Sequence, residues 1–464
     1  MKRVFLLSTP FEENFKIKSI RDYENSYGLG LAYLHSVIER AGYCIKTQNY
    51  NTADESISVD DIKSNLINFR PDYLLMQMFT MNRVSSYRIF KLAKEVNKDI
   101  KIIIGGVHAT IMFEQLLKNF EIDYVVLGEG EETILELLSA LDTRKDVSNV
   151  KGIAYSLNGN IVKNSDRKLI ENLDKIPFPK HELFITPKRI MACILTSRGC
   201  PFKCSFCCLH TISKRIYRER SVANIVSEVE YIVNNFKNIK LIQVADDTFN
   251  LNQQRVIDLC KEIIKRKIKI KFSCSARIKP ASVEMFELME KAGFISIGFG
   301  LETGSKKLLK SIHKNITQED AKETFGMLKN IKDINIVAYL IVGFPGESID
   351  TVNETISFLK ELYNIRRFKN HGVAILWVYP KTEVYDLMKA KKAINDDYWL
   401  TDNDVPRYTA ESSYNELWQF YAKIRMATFS MRGKPYFVLK GMQYFLRAPI
   451  SNTQKLFKLL QRKY

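Results

Sequence analysis

Ala192-Cys193-Ile194-Leu195-Thr196-Ser197-Arg198-Gly199-Cys200-Pro201-Phe202-Lys203-Cys204-Ser205-Phe206-Cys207-Cys208 joins a short apolar run to a cysteine-rich loop. Residues 192–196 have the length and composition of a buried strand. At its end Cys200, Cys204 and Cys207 stand in a Cys-x3-Cys-x2-Cys spacing, where α/β enzymes place their chemistry. Three thiolates can hold three irons of a four-iron, four-sulfur (4Fe–4S) cubane. The fourth iron is then left for a non-protein ligand, for which the amino and carboxylate groups of a methionine moiety are suited. Structural zinc usually takes four protein ligands. Cys208 could be a fourth only by breaking the spacing, so it reads as a packing residue, and His210 is the better zinc candidate.

The strand before the loop opens a series. Residues 240–245, 269–275, 295–299, 335–342 and 373–378 predict further strands. Helical patterns at 221–235, 253–265, 282–291, 318–330 and 349–362 lie between them. Six βα units fit a partial barrel, not a closed eight-fold one. Upstream, residues 4–8, 43–48, 73–78, 101–104 and 124–127 predict five strands. Helices at 30–41, 59–68, 84–96, 111–117 and 131–141 alternate with them, which argues for a parallel sheet covered on both faces. A hairpin around Asn158-Gly159 and the extended Ile176-Pro177-Phe178-Pro179 mark a linker. The expected fold class is therefore α/β, in four parts. These are a Rossmann-like domain over 1–141, a linker with a short hairpin over 142–187, a partial TIM-like barrel over 188–391, and a mainly helical basic region over 392–464.

The chain of 464 residues is 46% hydrophobic and 26% charged, which is too apolar for disorder and long enough for two or three domains. No apolar run reaches the roughly 18 residues of a bilayer span. The start, Met1 to Pro10, reads as a first strand rather than a signal peptide, since no small-residue cleavage pattern follows. Eight cysteines are no disulfide scaffold at this length, and their crowding points to metal work in a reducing, cytoplasmic setting. Net charge is +18, and Leu417 to Tyr464 alone holds ten Lys or Arg and no Asp or Glu. Aromatic residues are interleaved there, and Pro435 and Pro449 break the segment. The tail reads as a structural cap, with weak membrane contact as the alternative and no stable nucleic acid expected.

The cysteine string, with aromatic Phe206 before the last cysteine, resembles the signature of the radical S-adenosylmethionine (SAM) superfamily. That resemblance implies a 4Fe–4S cluster on Cys200, Cys204 and Cys207 that reduces SAM to give a 5′-deoxyadenosyl radical. Other strand ends are similar to family segments. Asp246 and Asp247 match the segment that reaches the SAM amino group and ribose, although Asp247 could equally be a solvated acid before the next helix. Ser275 and Arg277 match ribose and carboxylate contacts, and Arg277 could instead be a surface salt-bridge residue. Gly300-Leu301-Glu302-Thr303-Gly304 matches a Gly-x-Glu-(Ser/Thr)-Gly pattern that gives Glu302 to SAM, and Gly343 and Pro345 match the turn beside the adenine. At Tyr379-Pro380-Lys381-Thr382, Lys381 replaces a family glycine, so positive φ is not expected there.

Residues 1–140 resemble the cobalamin-binding domain that precedes the barrel in the B12-binding subfamily. The matching pieces contain Gly28, then Gly105 and Gly106, then Gly128 in Gly128-Glu129-Gly130-Glu131. The loop from Thr9 to Gly30 lacks the lower-ligand histidine that many cobalamin proteins carry. His35 falls in a helix and reads as structural, and His108 lies nearer the expected nucleotide tail than the cobalt. The resemblance implies three cofactors: the 4Fe–4S cluster, SAM and cobalamin. It further implies methyl transfer to an unactivated carbon, with radical cyclisation, dehydration, epimerisation or rearrangement as the alternative. A non-catalytic cobalamin- or nucleic-acid-binding protein is a third reading, which the three-cysteine motif opposes. The expected partners are a small-molecule or peptide substrate and a reductant such as flavodoxin or ferredoxin. No catalytic side chain is assigned.

Overall fold

Strand β1 (Arg3–Ser8) is buried from Val4 onward, as expected of a strand covered on both faces. In the computed structural model, which describes residues 2–11, 27–50, 59–368 and 370–431, β1 lies inside a seven-stranded sheet. Its neighbours are β2 (Cys44–Asn49) and β3 (Tyr73–Gln77), followed by β4 (Lys101–Gly105) and β5 (Tyr124–Val126), all parallel. Helices α1 (Leu29–Arg40), α2 (Val59–Phe69), α3 (Arg83–Val96), α4 (Val107–Asn119) and α5 (Glu131–Asp142) connect them. The hairpin β6 (Ile153–Leu157) and β7 (Asn160–Lys163) turns at Asn158 and Gly159, both at positive φ (51° and 79°). It does not stand apart: β6 pairs antiparallel with β5, so the hairpin extends the first sheet.

Strand β8 (Met191–Ile194) begins the second sheet. A two-residue ribbon, β9 (Ser197–Arg198) against β10 (Arg218–Glu219), closes the base of the cysteine loop. Then come β11 (Leu241–Val244), β12 (Lys271–Ala276), β13 (Phe294–Glu302), β14 (Asn335–Val342) and β15 (Asn370–Ile375). The six strands β8, β11, β12, β13, β14 and β15 are parallel and adjacent in chain order, which makes an open half-barrel. Helices α6 (His210–Ser213), α7 (Val222–Asn235), α8 (Gln253–Lys265), α9 (Val283–Lys291), α10 (Lys306–Ser311), α11 (Gln318–Met327) and α12 (Ile349–Ile365) accompany them. Side chains of Ser221, Asn252, Ser282, Thr317 and Ser348 cap five of these helices at their N-termini.

One apolar cluster runs through both sheets, from Leu6, Tyr27 and Leu75 through Phe184 and Ile185 to Ile194 and Ile242. A second joins the other face of the first sheet to Val378, Tyr385 and Trp399. There the buried Arg83 of α3 donates to the carbonyls of Trp399 (3.3 Å), Thr80 (3.2 Å), Thr401 (3.2 Å) and Asn403. Helices α13 (Glu383–Ala390) and α14 (Tyr414–Ser430) follow, and α14 buries Leu417, Phe420 and Ile424 against β15 and α12. That packing agrees with a cap for 414–431, while residues 432–464 of the expected basic cap lie outside the described residues. No helix among the described residues is long and apolar enough to cross a membrane.

Candidate active site at the cysteine loop

The cysteine loop leaves the barrel at the C-terminal end of β8 and is anchored before the first cysteine. Asp246, at the end of β11, accepts from Thr196 N (2.6 Å), Thr196 Oγ1 (2.5 Å) and Ser197 Oγ (2.5 Å). Arg255 of α8 lies 3.6 Å from the same carboxylate and donates to Thr196 O (3.0 Å). Asp246 thus anchors the base of the loop, a role that its strand-end position did not reveal. Asp247 is placed differently. It accepts from Gly199 N (3.0 Å) and borders a cavity, and desolvation, reinforced by Asp246, raises its carboxyl above the usual range.

Cys200 and Cys204 are half-buried and Cys207 is exposed. Thr248 Oγ1 lies 3.5 Å from Cys200 Sγ, and Cys204 Sγ is 3.9 Å from the carbonyl of His313. Among the described residues no three His, Cys, Asp or Glu side chains stand together as a ready metal site. The thiols are nonetheless in electrostatic reach of one another. Desolvation pushes Cys207 up to about 12, and Cys208, Cys204 and Cys200 add to the rise. A group of thiols that oppose each other's ionisation suits a cationic centre, which favours the thiolates. The donor set therefore fits an iron–sulfur cluster. Cys208 packs with the apolar cluster around Trp399, as a packing residue does. Phe206 packs on Phe344, with ring centroids 5.3 Å apart.

Across the barrel the register slips between Gly300 and Glu302, and Glu302 takes a left-handed φ of 63°. Lys314 donates to its carboxylate at 2.6 Å, with both side chains nearly buried. A Cβ on Gly300 would lie 2.6 Å from Glu302 Oε1, so a glycine is needed for this approach. Arg277 is buried, donates to Lys314 O and lies 3.6 Å over the ring of Phe202 in the cysteine loop. The surface salt-bridge reading of Arg277 is thereby excluded. Its Nε has no hydrogen-bond partner among the described residues. Sequence reasoning missed Lys314 and Phe202; Lys314 follows α10, away from any strand end, and no pattern marks it. Ser275 is half-buried at the end of β12. Gly343 (φ 96°) and Pro345 sit in the turn after β14, whose amides at Gly343 and Phe344 (3.2 Å) donate to Glu347. Lys381 departs from expectation: its φ is 60°, so the lysine keeps a glycine-like conformation.

A cavity of about 270 Å³ separates the first sheet from the cysteine loop. Its floor is the C-terminal edge of β1, β3, β4 and β5, with Leu6, Leu75, Ile103 and Val126, and its roof includes Leu195, Gly199 and Asp247. Gly105, Gly106 and Gly128 are among its lining residues. Gly28 does not; it is pressed against Phe184, Leu31 and Asn49, and Gly30 lines the cavity instead. An apolar floor cleared of side chains by glycines suits a bulky cofactor such as cobalamin. No histidine is among the lining residues described. His108 is buried away from the cavity, with Nδ1 3.2 Å from Thr80 Oγ1, and burial lowers it to about 3. His35 bonds Thr47 Oγ1 (2.8 Å), as a structural residue would.

The family model of the Radical SAM superfamily matches residues 194–359, and that of the B12 binding domain matches residues 23–138. An uncharacterized methyltransferase of Pyrococcus horikoshii is 31% identical over 340 residues, 72% of this chain and 73% of the relative. The anaerobic magnesium-protoporphyrin IX monomethyl ester cyclase of Cereibacter sphaeroides is 29% identical over 454 residues, 91% of this chain and 72% of the relative. Among solved structures, the radical SAM methyltransferase TsrM of Kitasatospora setae with cobalamin and a 4Fe–4S cluster superposes with a TM-score of 0.70. It is 18% identical and covers 91% of this chain and 85% of its own.

Proposed function

The chain belongs to the radical SAM superfamily, among its enzymes with an N-terminal B12-binding domain, and on that premise we propose that it transfers a methyl group to an unactivated carbon, or less often phosphorus, of a small molecule. Support comes from the cavity that lies between the glycine-lined edge of the first sheet and the loop carrying Cys200, Cys204 and Cys207. A group held there faces both the B12-type floor and the cysteine loop, as a methyl carrier must if one substrate is to meet both.

A bound cluster supplies one-electron reduction of SAM, and a bound cobalamin supplies a transferable methyl group. Cys200, Cys204 and Cys207 would hold three irons. Arg277 and Lys314 offer cationic donors for a carboxylate, and Glu302 offers an acceptor for an ammonium or hydroxyl group. Asp247 borders the cavity beside Arg198, and its raised carboxyl can hold or accept a proton near a ligand there. Phe206 on Phe344 shields one side of the loop from water. The electron would come from a flavodoxin- or ferredoxin-type donor in a reducing cytoplasm.

Ring closure without net methylation is the second reading, favoured by the likeness to a cyclase over 91% of this chain. Anaerobic turnover of candidate substrates with methyl-labelled SAM separates the two. Label in a product one methylene heavier supports methyl transfer; an unlabelled, rearranged or cyclised product refutes it.

A further inference from the structure

The two arginines of the ribbon that closes the cysteine loop face each other, Arg218 paired with Arg198. Like charges directly opposed across strands repel, and here both side chains are largely buried, 8% and 16% exposed. The carboxylates that pair with them come from the first domain. Glu129, from the turn after β5 in the first domain, reaches between them. Its carboxylate accepts from Arg218 Nη1 and Nη2 (2.8 Å each), from Arg198 Nη1 (3.2 Å) and from Ile170 N (3.0 Å). Glu131 adds a bond from Arg198 Nη2 at 2.6 Å. The arginines hold the Glu129 carboxyl below its ordinary range in spite of burial.

Arg198 is two residues from Cys200, and the residue between them has no slack. Gly199 has φ 87°, and a Cβ there would lie 2.1 Å from Ile216 O. Displacement of Arg198 is therefore passed to the first cysteine. All of Gly128, Glu129, Gly130, Glu131, Arg198 and Arg218 also line the cavity.

We propose that Glu129 is a positioning residue: it neutralises the facing Arg198 and Arg218 and so lets the first domain hold the cysteine loop closed for SAM. This rests on the assignment of SAM binding to the loop. The wild-type protein tests that assignment by itself, because it must bind SAM at its reconstituted cluster.

The test is an anaerobic titration of SAM into reconstituted, cobalamin-free protein, read by electron paramagnetic resonance of the reduced cluster. In Glu129→Gln, SAM affinity falls by about fivefold or more while circular dichroism stays native. In Glu129→Gln combined with Arg218→Gln, one facing charge is gone and affinity returns to within about twofold of wild type. A role in domain cohesion alone would show no such rescue. Should Glu129→Gln not fold, Glu131→Gln, which leaves the Arg218 pair intact, is used in its place, with a smaller loss expected. Unchanged affinity in a folded variant, or a further loss in the double variant, overturns the proposal.

Discussion

Lys381 shows how a single residue can follow a family's backbone without its side chain. At φ 60° it adopts the conformation that a glycine takes at no cost and an L-residue pays for in strain. Chemistry at other single positions follows their surroundings. Cys204→Ala is expected to abolish iron uptake on anaerobic reconstitution, whereas Cys208→Ala leaves it in place; iron content per chain measures both. Lys314→Gln removes the ammonium 2.6 Å from Glu302 and strands a nearly buried carboxylate. SAM binding should weaken by roughly 1.5–3 kcal/mol, the range of a charged hydrogen bond, as read by isothermal titration. Iron content should not change.

Glu347 is half-buried in the turn after β14, and desolvation lifts its carboxyl from the ordinary 4.5 to about 7. The folded state thus keeps a proton that the unfolded state releases. Stability is fully present below pH 4.5 and is lost as pH rises toward about 7, by at most roughly 1.4 kcal/mol per pH unit. Glu347→Gln should flatten that fall, seen in urea midpoints at the two ends of the window.

At the scale of elements, the loops are set by helices behind them. Arg255 on α8 donates to Thr196 O, Thr196 Oγ1 (2.8 Å) and Phe249 O (3.1 Å) and faces Asp246. Arg255→Leu leaves Asp246 buried without its cation, and a loss of about 3–5 kcal/mol in urea unfolding is expected. The core strands were legible because parallel strands buried on both faces are continuous apolar runs, as in residues 335–342. The hairpin's strands were legible too, but not their pairing with β5, which depends on tertiary contact. The ribbon of β9 and β10 is two residues deep and carries no periodic signal. The same limit hid the pairing of Arg198 with Glu129: both residues were visible, 69 positions apart, with nothing local to join them. Strand-end motifs placed Asp247, Glu302 and Arg277 near the site, but did not show that Asp246 holds Thr196 and Ser197 at the base of the loop.

For the whole molecule, the first sheet meets the last elements as well as the barrel. Trp399 is fully buried, donates Nε1 to Tyr385 Oη (3.0 Å) and underlies Arg83 and His108. Trp399→Ala should cost about 3–5 kcal/mol, with thermal unfolding remaining a single transition because both sheets lose the same support. Two separated transitions would show that the sheets melt independently.

The apolar cluster that runs from Leu6 and Tyr27 through Phe184 to Ile194 and Ile242 also bears on ancestry. Modules that touch only at a polar seam can be shuffled between genes and still fold. Here a crossover at residue 141 would divide a shared hydrophobic interior, and the recombinant would inherit half a set of matched side chains. The same interior continues past Ile185 to Ile194 and Ile242, so a viable exchange of the first module must bring matching barrel side chains with it, and chimeras joined at residue 141 alone should fold poorly.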